Sequence, residues 1–576
     1  MWRFLRLLIA LILAFFLTML IGGVLIVGAL TSGIAIKASS SDKSKAISKE
    51  GWLYLPLSGE LREYEKDFKP SFSGMEIVFG SPTDRPPTME ELRLTLERAA
   101  TSDKVKGIIL HLGALSAQPA QIQQIGRWLV AYKQAAKKPI YAYADYFSEL
   151  TYYLASYADT IVMYPRSGAS LEWNGLVSQS IFYKRFLEKW GIKPRLFRTG
   201  AYKSAAESFT DEQYSESNRI QLTALLEDVW STLVDTVAQR RRVAIDSLRR
   251  WTESRIFLSA DEAYAAGLVD ALTPWPVWVK QFIPEGKDEP AFVGVKQILD
   301  EKPKKSSENK IAILYAEGTI GPEEDISAER LVPVINKLAR EDAVKAVVLR
   351  VNSPGGAVLD SDKIAEALRS LKSKKPLIVS MSGVAASGGY YISALADKIV
   401  SESTTITGSI GVIGLLFDFR ELLEKRIELR TDRVIVGGRY ADFMNPLREV
   451  TPEENARLQA EIDQIYEEFL GLVREGRRYP SRDAVHAIAQ GRVWSGIDAK
   501  QIGLVDTLGG IETAIALAAQ AASLKDYEVQ SYPEPSSFIE RLLRQFQKAE
   551  GWWAKISRQP YLPDAIQLYW EELRIR

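Results

Sequence analysis

The sequence contains no cysteine and only two histidines, His111 and His486, among its 576 residues. The lack of cysteine excludes disulfides, thiol nucleophiles and thiolate metal sites, and two histidines are too few for a zinc site built mainly from imidazoles. His111 lies in an apolar run and His486 on a predicted helix, so we expect both to be structural or surface residues. Catalysis by this chain would therefore depend on hydroxyl groups, carboxylates, lysines and backbone dipoles.

The sequence also lacks an excess of charge of either sign. Its 73 Lys and Arg residues balance its 73 Asp and Glu residues. With no global field to attract nucleic acid, a nucleic-acid-binding function is disfavoured. Hydrophobic residues make up 46% of the chain and charged residues 25%, which is typical of globular proteins. The length allows about two to four domains.

One long segment, residues 7–36, contains no charged side chain. As a helix it would extend roughly 45 Å, more than the roughly 30 Å hydrocarbon core of a bilayer. A cleaved signal peptide is the alternative, because residues 33–35 form a small-x-small end, but the run exceeds the roughly 7–15 apolar residues of such a peptide. We predict a single-pass membrane anchor at 1–37, with Arg3 and Arg6 holding the N-terminus in the cytoplasm. The body would then face the periplasm or the outside of a bacterial inner (cytoplasmic) membrane.

After this segment the chain repeats itself. Residues 138–162 resemble residues 375–400, and the Ala-Asp pairs within them end at Asp159 and Asp397, 238 positions apart. A second matching pair of segments ends at Asp270 and Asp506, 236 positions apart. Near-constant offsets over more than a hundred residues indicate tandem duplication of a whole domain. We predict a first repeat at 45–298, a polar linker at 299–310, a second repeat at 311–530 and a C-terminal tail at 531–576.

Each half alternates between two kinds of hydrophobic pattern. Residues 345–351 and 376–382 are short β-branched runs typical of buried parallel strands. Between them, residues 361–374 place apolar side chains at the spacing of one helix face, with Asp360 and Ser361 as candidate N-caps. This alternation predicts an α/β layered domain with a mainly parallel sheet. Longer helices are expected outside that unit, at 218–241 and 451–475.

Two clusters of small residues follow strands in the second half only. Residues 352–356 end in Gly355 and Gly356, which allow the backbone to turn and present N–H groups. Residues 385–390 contain Ser387 at the head of a helix, where a hydroxyl would lie beside free N–H groups. Tight strand-to-helix packing with Ser387 as an N-cap is the simpler interpretation. Together the two clusters indicate a nucleophile with an oxyanion hole.

Neither histidine is a persuasive base for this hydroxyl, and a lysine can serve instead if burial keeps it neutral. Burial disfavours the ammonium form of a lysine and can lower its pKa by several units. Lys203 stands out among small neighbours at 199–206, although composition alone is compatible with an ordinary surface lysine. The repeat offset of 238 relates Ser387 to Glu149 and Lys203 to Ala441, so each half retains only one of the two groups. An active site assembled from them would lie between the halves.

Four motifs carry a resemblance to a known family. They are RVNSPGG at 350–356, AASGGYY at 385–391, GSIGV at 408–412 and YKSA at 202–205. With these motifs, the chain resembles the long form of bacterial signal peptide peptidase A, also called protease IV, over nearly its whole length. That family belongs to the Clp-protease/crotonase-like superfamily. The resemblance implies a tandem duplication of a Clp-protease/crotonase-like α/β domain behind an N-terminal transmembrane helix.

The resemblance also assigns roles to particular residues. It implies that Ser387 is the nucleophile, that Lys203 is the general base and that the Ser409 hydroxyl orients the lysine amine. The backbone N–H groups of Gly356 and Gly388 would form the oxyanion hole. The implied enzyme is a membrane-anchored serine endopeptidase that needs no metal or cofactor. It would degrade signal peptides and other unfolded apolar peptides after their release, and it would assemble as a homotetramer.

Two other functions are compatible with a duplicated α/β body. A membrane-anchored assembly scaffold that has lost its activity is one, although all four site elements are present. An acyl-CoA-handling enzyme of the crotonase type is the other, although the predicted anchor and the Ser387–Lys203 pair disfavour it. In the tail, apolar residues 538, 542 and 546 predict a helix that packs on the body or on a neighbouring subunit. Contact of Trp552 and Trp553 with the membrane interface is the alternative.

Overall fold

The computed structural model of this protein describes residues 50–64, 86–301 and 307–533. The anchor predicted at 1–37, part of the linker and nearly all of the predicted tail lie outside these ranges. Within the three ranges, no helix has both the length and the apolar character needed to cross a membrane.

The first half contains the strands and helices before Lys203, the long helix that follows this residue, and several short elements after that helix. In chain order they are β1 (Gly51–Glu60), α1 (Met89–Thr101), β2 (Val105–Ser116), α2 (Pro119–Ala136), β3 (Ile140–Ala144), α3 (Glu149–Ala155), β4 (Thr160–Met163), β5 (Ser170–Leu171), α4 (Lys184–Trp190), β6 (Lys193–Thr199), α5 (Glu207–Thr210), α6 (Glu216–Arg241), α7 (Ile245–Ser254), β7 (Leu258–Ser259), α8 (Ala260–Ala265), β8 (Ala271–Leu272), α9 (Trp275–Trp278), a 3-10 helix (Val279–Phe282), β9 (Phe292–Val293) and α10 (Val295–Leu299).

The second half repeats this order around its own sheet. Its elements are β10 (Lys310–Glu317), α11 (Ala328–Arg340), β11 (Val344–Ser353), α12 (Val358–Lys372), β12 (Leu377–Ala386), α13 (Gly388–Tyr391), β13 (Lys398–Ser401), β14 (Ile406–Gly408), β15 (Val412–Asp418), a π-helix (Leu422–Ile427), α14 (Pro452–Arg477), α15 (Arg482–Ile488), β16 (Val493–Ser495), α16 (Gly496–Gln501), β17 (Thr507–Leu508), α17 (Ile511–Ala521) and β18 (Glu528–Tyr532).

The two main sheets have matching topologies. The first has the order β8-β4-β3-β2-β1-β9, and every neighbouring pair is parallel. The second pairs β10, β11, β12, β13, β17 and β18 in the corresponding way, and adds β14 parallel to β12 and β16 antiparallel to β14. The chain is therefore a duplicated α/β fold, as the offsets of 238 and 236 residues predict.

The local structure agrees with most of the expected elements and differs in two places. The predicted long helices form as α6 and α14, capped by Ser215 and Thr451. Helix α12, however, begins at Val358 and has Ala357 at its N-cap, so the prediction of Asp360 or Ser361 there is wrong. Asp360 instead accepts a hydrogen bond from the Ala328 N–H at 2.8 Å and so satisfies the start of a different helix, α11. The second sheet also extends to Tyr532, two residues into the predicted tail.

The halves are joined by buried polar contacts as well as by apolar packing. Glu63, in the first half, and Arg350, in the second, are each about 2% exposed or less and form an ion pair at 2.9 Å. The same carboxylate accepts hydrogen bonds from Gln121 at 2.8 Å and from Ser382. Because β11 carries Arg350 and β12 carries Ser382, one side chain of the first half holds both strands that end at the glycine clusters.

A two-stranded sheet also crosses between the halves. Strand β6 pairs with β15 in antiparallel fashion from Thr199 opposite Val412 to Lys193 opposite Asp418. The chain leaves β6 towards Lys203 and enters β15 from Ser409. Antiparallel pairing puts these two segments at the same end of the ladder, which brings the lysine of one half to the serines of the other.

Candidate active site

Ser387 occupies a strained turn between strand β12 and the short helix α13. Its backbone has φ 54° and ψ −120°, a conformation that non-glycine residues rarely adopt and that costs about 1–3 kcal/mol. The Ser387 N–H donates to Gly408 O at 2.9 Å and so fixes the turn against β14. Its hydroxyl makes no capping hydrogen bond to α13. Ser387 therefore occupies the N-cap position of α13 without capping the helix through its hydroxyl, which is directed to another partner.

That partner is the amine of Lys203. Its Nζ lies 3.0 Å from Ser387 Oγ, 3.0 Å from Ser409 Oγ and 3.0 Å from the Ser409 carbonyl oxygen. The lysine is only 5% exposed, so it is not the surface residue that composition alone allows. Burial lowers the pKa of Lys203 from its ordinary 10.5 to about 8, because removal from water disfavours the ammonium form. A substantial fraction of the amine is thus neutral near pH 8.

The walls around Lys203 require glycine at two positions. Gly491 has φ +81°, and a Cβ there would lie 2.5 Å from Lys203 Cβ. A Cβ on Gly411 would lie 3.3 Å from Lys203 Cδ and 2.7 Å from the Gly491 backbone. The Tyr202 N–H donates to Gln490 O at 2.9 Å, which holds the lysine loop against the same wall. Gly411 lies in the GSIGV motif, but sequence analysis missed Gly491, because no local pattern identifies a glycine that makes room for a residue nearly 300 positions away.

The glycine turn at the end of β11 lies directly against Ser387. Gly355 has φ +99°, and a Cβ there would approach Gly388 N to 2.6 Å and Ser387 Cβ to 2.8 Å. Only a residue without a side chain can come so close to the serine. A Cβ on Gly388 would in turn lie 3.3 Å from Gly356 N. The structure therefore places both predicted oxyanion donors beside the serine.

The amides of Gly356 and Gly388 are available to a ligand. Within the described ranges, neither N–H donates a hydrogen bond to another protein atom. Gly388 begins α13, and the first N–H groups of a helix have no acceptor within it. Two such donors beside a hydroxyl are suited to an oxygen that becomes negatively charged.

An open cleft of about 440 Å³ leads to this group of residues. Its floor contains Lys203, Ser387, Gly356 and Gly388. Its walls are mostly apolar and are formed by Val358, Tyr391, Val412, Ile413, Ile465 and Phe469. The cleft therefore offers a hydroxyl, an amine and two amide donors to a ligand with apolar side chains.

The two histidines lie in structural settings away from this cleft. His111 Nδ1 is 2.7 Å from the Tyr54 hydroxyl, and its ring stacks on Trp275 with centroids 4.2 Å apart. His486 Nδ1 is 2.8 Å from the Tyr466 hydroxyl. The prediction of structural or surface roles for both residues is confirmed.

Comparisons with known proteins match segments of both halves of the chain. The model of peptidase family S49 matches residues 132–281 and 369–525, and the Clp protease model matches residues 305–406. The first of these families covers a segment of each half, including the segments that carry Lys203 and Ser387.

Three relatives align along most of the chain. Protease 4 of Haemophilus influenzae is 31% identical over 571 residues, which cover 93% of this chain and 91% of that protein. Protease 4 of Salmonella typhi is 30% identical over 93% of this chain and 87% of its own length. The chloroplastic serine protease SPPA of Arabidopsis thaliana is 30% identical over 76% of this chain and 66% of its own length. The chain belongs to peptidase family S49.

Proposed function

We propose that this protein is a serine endopeptidase in which Lys203 of the first half activates Ser387 of the second half. The 3.0 Å contact between Lys203 Nζ and Ser387 Oγ carries this proposal. It joins a hydroxyl on a strained turn to an amine that is almost fully buried. The S49 relatives named as proteases support hydrolysis of peptide bonds as the reaction.

The surroundings of Nζ match the hydrogen-bonding capacity of a neutral amine. Such an amine has two N–H donors and one lone pair. The Ser409 carbonyl and hydroxyl oxygens accept the two donors, which leaves the lone pair to accept the Ser387 hydroxyl proton. Ser409 thus orients the amine towards the nucleophile. Below about pH 8 the ammonium form predominates and has no lone pair for this step.

Acyl transfer then follows from the arrangement of the cleft. Lys203 accepts the proton of the Ser387 hydroxyl while Ser387 Oγ attacks the scissile carbonyl. The amides of Gly356 and Gly388 stabilise the resulting oxyanion. The lysine next protonates the leaving amine, which yields an acyl-enzyme on Ser387. Water deprotonated by the same amine releases the acyl group and restores the hydroxyl.

The proposed substrates are unfolded, apolar peptides, signal peptides above all. The apolar cleft walls support this choice. The first residues of β15, Val412 and Ile413, line the cleft, so an extended peptide can lie beside this strand. An anchor at 1–37, as the sequence predicts, would hold the cleft near peptides released in a bacterial inner membrane. The body would face the periplasm or the outside.

We further propose that the protein assembles from several copies, a homotetramer by family resemblance. Val177, Ile181, Val434 and Val436 are between 70% and 92% exposed. Apolar side chains this exposed, in two separate segments, are suited to burial against another copy. The mass of the detergent-solubilised protein, measured by light scattering, tests this assembly.

An inactive scaffold of the same fold is less consistent with the site. The strained Ser387 backbone and the buried Lys203 amine each reduce stability. A scaffold would gain nothing from either feature, whereas a nucleophile and its base require both.

Cleavage of synthetic signal peptides by the purified full-length protein tests the proposal. We expect cleavage of unfolded apolar peptides, and a loss of roughly a thousandfold or more in Ser387→Ala and in Lys203→Ala. The exposed residues Ser373 and Lys345 provide matched controls, whose alanine variants should retain activity. Normal turnover in the Lys203→Ala variant would overturn the assigned base, and an inactive wild-type enzyme would favour the scaffold.

A further inference from the structure

Gln221, on helix α6, contacts both residues that flank Lys203. Its Nε2 lies 3.1 Å from the Tyr202 carbonyl oxygen and 3.1 Å from Ser204 Oγ. The side chain is only 3% exposed. Gln221 does not contact the reacting atoms, but it holds the residues on either side of Lys203, whose amine contacts the Ser387 hydroxyl.

The same carboxamide also contacts the second half. Gln221 Oε1 accepts the Val493 N–H at 3.1 Å. Val493 begins β16 two residues after Gly491, whose backbone packs on the Lys203 side chain. One glutamine thus ties the lysine loop to the opposing wall of the lysine's own pocket.

A buried polar cluster fixes the orientation of this carboxamide. Asn218 Oδ1 accepts from Gln221 Nε2 at 3.0 Å and from Ser204 Oγ at 3.0 Å. Asn218 Nδ2 donates to Glu207 at 3.0 Å, and Glu207 also accepts from Ser215 Oγ at 2.6 Å. Rotating the Gln221 amide by half a turn would oppose its oxygen to the Tyr202 carbonyl and its amino group to the Val493 N–H. The observed orientation is therefore the favoured one.

We propose that Gln221 is a positioning residue that keeps the Lys203 amine in place and away from water. This inference rests on the proposed role of Lys203 as the base. Without the Gln221 contacts, the 202–204 loop can move away from Gly491 and admit solvent to Nζ. Water would stabilise the ammonium form and raise the pKa of Lys203 towards its ordinary value. Gln221 thus influences both the placement of the base and the pH range in which it functions.

The test compares Gln221→Met with Gln124→Met in the full-length protein. Methionine retains most of the volume of glutamine and removes its hydrogen bonds. Gln124 is a matched control because it is also buried and also bridges the halves, through Ile511 N at 2.8 Å and Glu512 at 2.7 Å. It lies outside the Lys203 loop and its contacts. Signal-peptide cleavage is measured as kcat/KM across pH, with thermal unfolding monitored for each variant.

We expect kcat/KM of Gln221→Met to fall roughly tenfold to a hundredfold at pH 7.5, and the midpoint of its acidic limb to rise by roughly one pH unit. Gln124→Met should keep the wild-type midpoint, even if it unfolds at a lower temperature. Should Gln221→Met fail to fold, Ser204→Ala removes one contact of the same cluster and should move the midpoint in the same direction. An unchanged midpoint in a folded Gln221 or Ser204 variant overturns the inference. A wild-type enzyme without activity overturns the proposed function instead.

Discussion

Thr199 in the first half and Val412 in the second half lie opposite each other at the end of an antiparallel ladder. The chain continues from Thr199 to Lys203, four residues later, and reaches Val412 from Ser409, three residues earlier. The pairing of two short strands therefore determines where the amine meets the hydroxyls, 3.0 Å from both Ser387 Oγ and Ser409 Oγ. Neither half contains this site alone.

Gly491→Ala should inactivate the enzyme without unfolding it. The new Cβ would lie 2.5 Å from Lys203 Cβ, so the lysine must shift, and a displacement of about 1 Å costs roughly a hundredfold in rate. Gly267→Ala is the matched control, because it has a similar φ of +72° but no atom within 4 Å of the new Cβ. Thermal unfolding should show backbone strain in both variants and a further loss of stability in Gly491→Ala from its contact with Lys203, and peptide cleavage should fall only in Gly491→Ala. Full activity in Gly491→Ala would mean that the position of Lys203 is not critical.

Ser409→Ala should slow cleavage by roughly tenfold to a hundredfold while leaving substrate affinity largely intact. The Ser409 carbonyl still accepts from Nζ at 3.0 Å, but the second acceptor is removed and the amine can rotate away from Ser387. Separate measurement of kcat and KM checks this expectation, since an orienting role affects kcat. A change confined to KM would assign Ser409 to substrate binding.

The burial of Lys203 should be visible in the pH dependence of stability. Its pKa is about 8 in the folded protein and near 10.5 once the chain unfolds. Between these values the unfolded state binds one more proton, so stability rises with pH. Relative to a Lys203→Met variant, the wild type should gain about 3 kcal/mol of unfolding free energy between pH 8 and pH 10.5. Denaturant unfolding of both proteins across this range measures the difference between their unfolding free energies. A difference that does not change with pH would contradict a depressed pKa of Lys203.

Substituting one residue of the Glu63–Arg350 ion pair should lower the free energy of unfolding much more than substituting both together. Both side chains are buried, so removing one leaves an unpaired charge at a cost of about 3–5 kcal/mol. The double variant Glu63→Gln, Arg350→Met should recover part of that loss. Unfolding of the two single variants and the double variant gives the coupling energy. Additive effects would show that the pair does not join the halves.

The sequence predicts the fold because each element carries its own signal. The β-branched runs around residues 347 and 379 form strands β11 and β12, and the helical spacing at 218–241 forms α6. The offset between Asp159 and Asp397 reveals the duplication without any structural information. The start of α12 is missed because Asp360, a good cap by type, is used by a neighbouring helix.

The site is predictable only in part for a related reason. Ser387 and Gly355 lie in a distinctive local pattern, and the duplication draws attention to Lys203. Gln221 and Gly491 carry no such signal, because their importance arises from contacts across long sequence separations. Supporting residues of this kind become visible only when the two halves are seen packed together.

The rate at which a fluorophosphonate labels Ser387, measured across pH, is the most direct test of the Ser387–Lys203 pair. In the wild type, labelling identified at Ser387 by mass spectrometry should increase as the pH rises through about 8, as Lys203 loses its proton. In Lys203→Ala, which removes the only amine within 3.0 Å of the hydroxyl in the described residues, labelling should be almost abolished and its step near pH 8 should disappear. Equal labelling of both proteins, with the same pH profile, would contradict activation of Ser387 by Lys203.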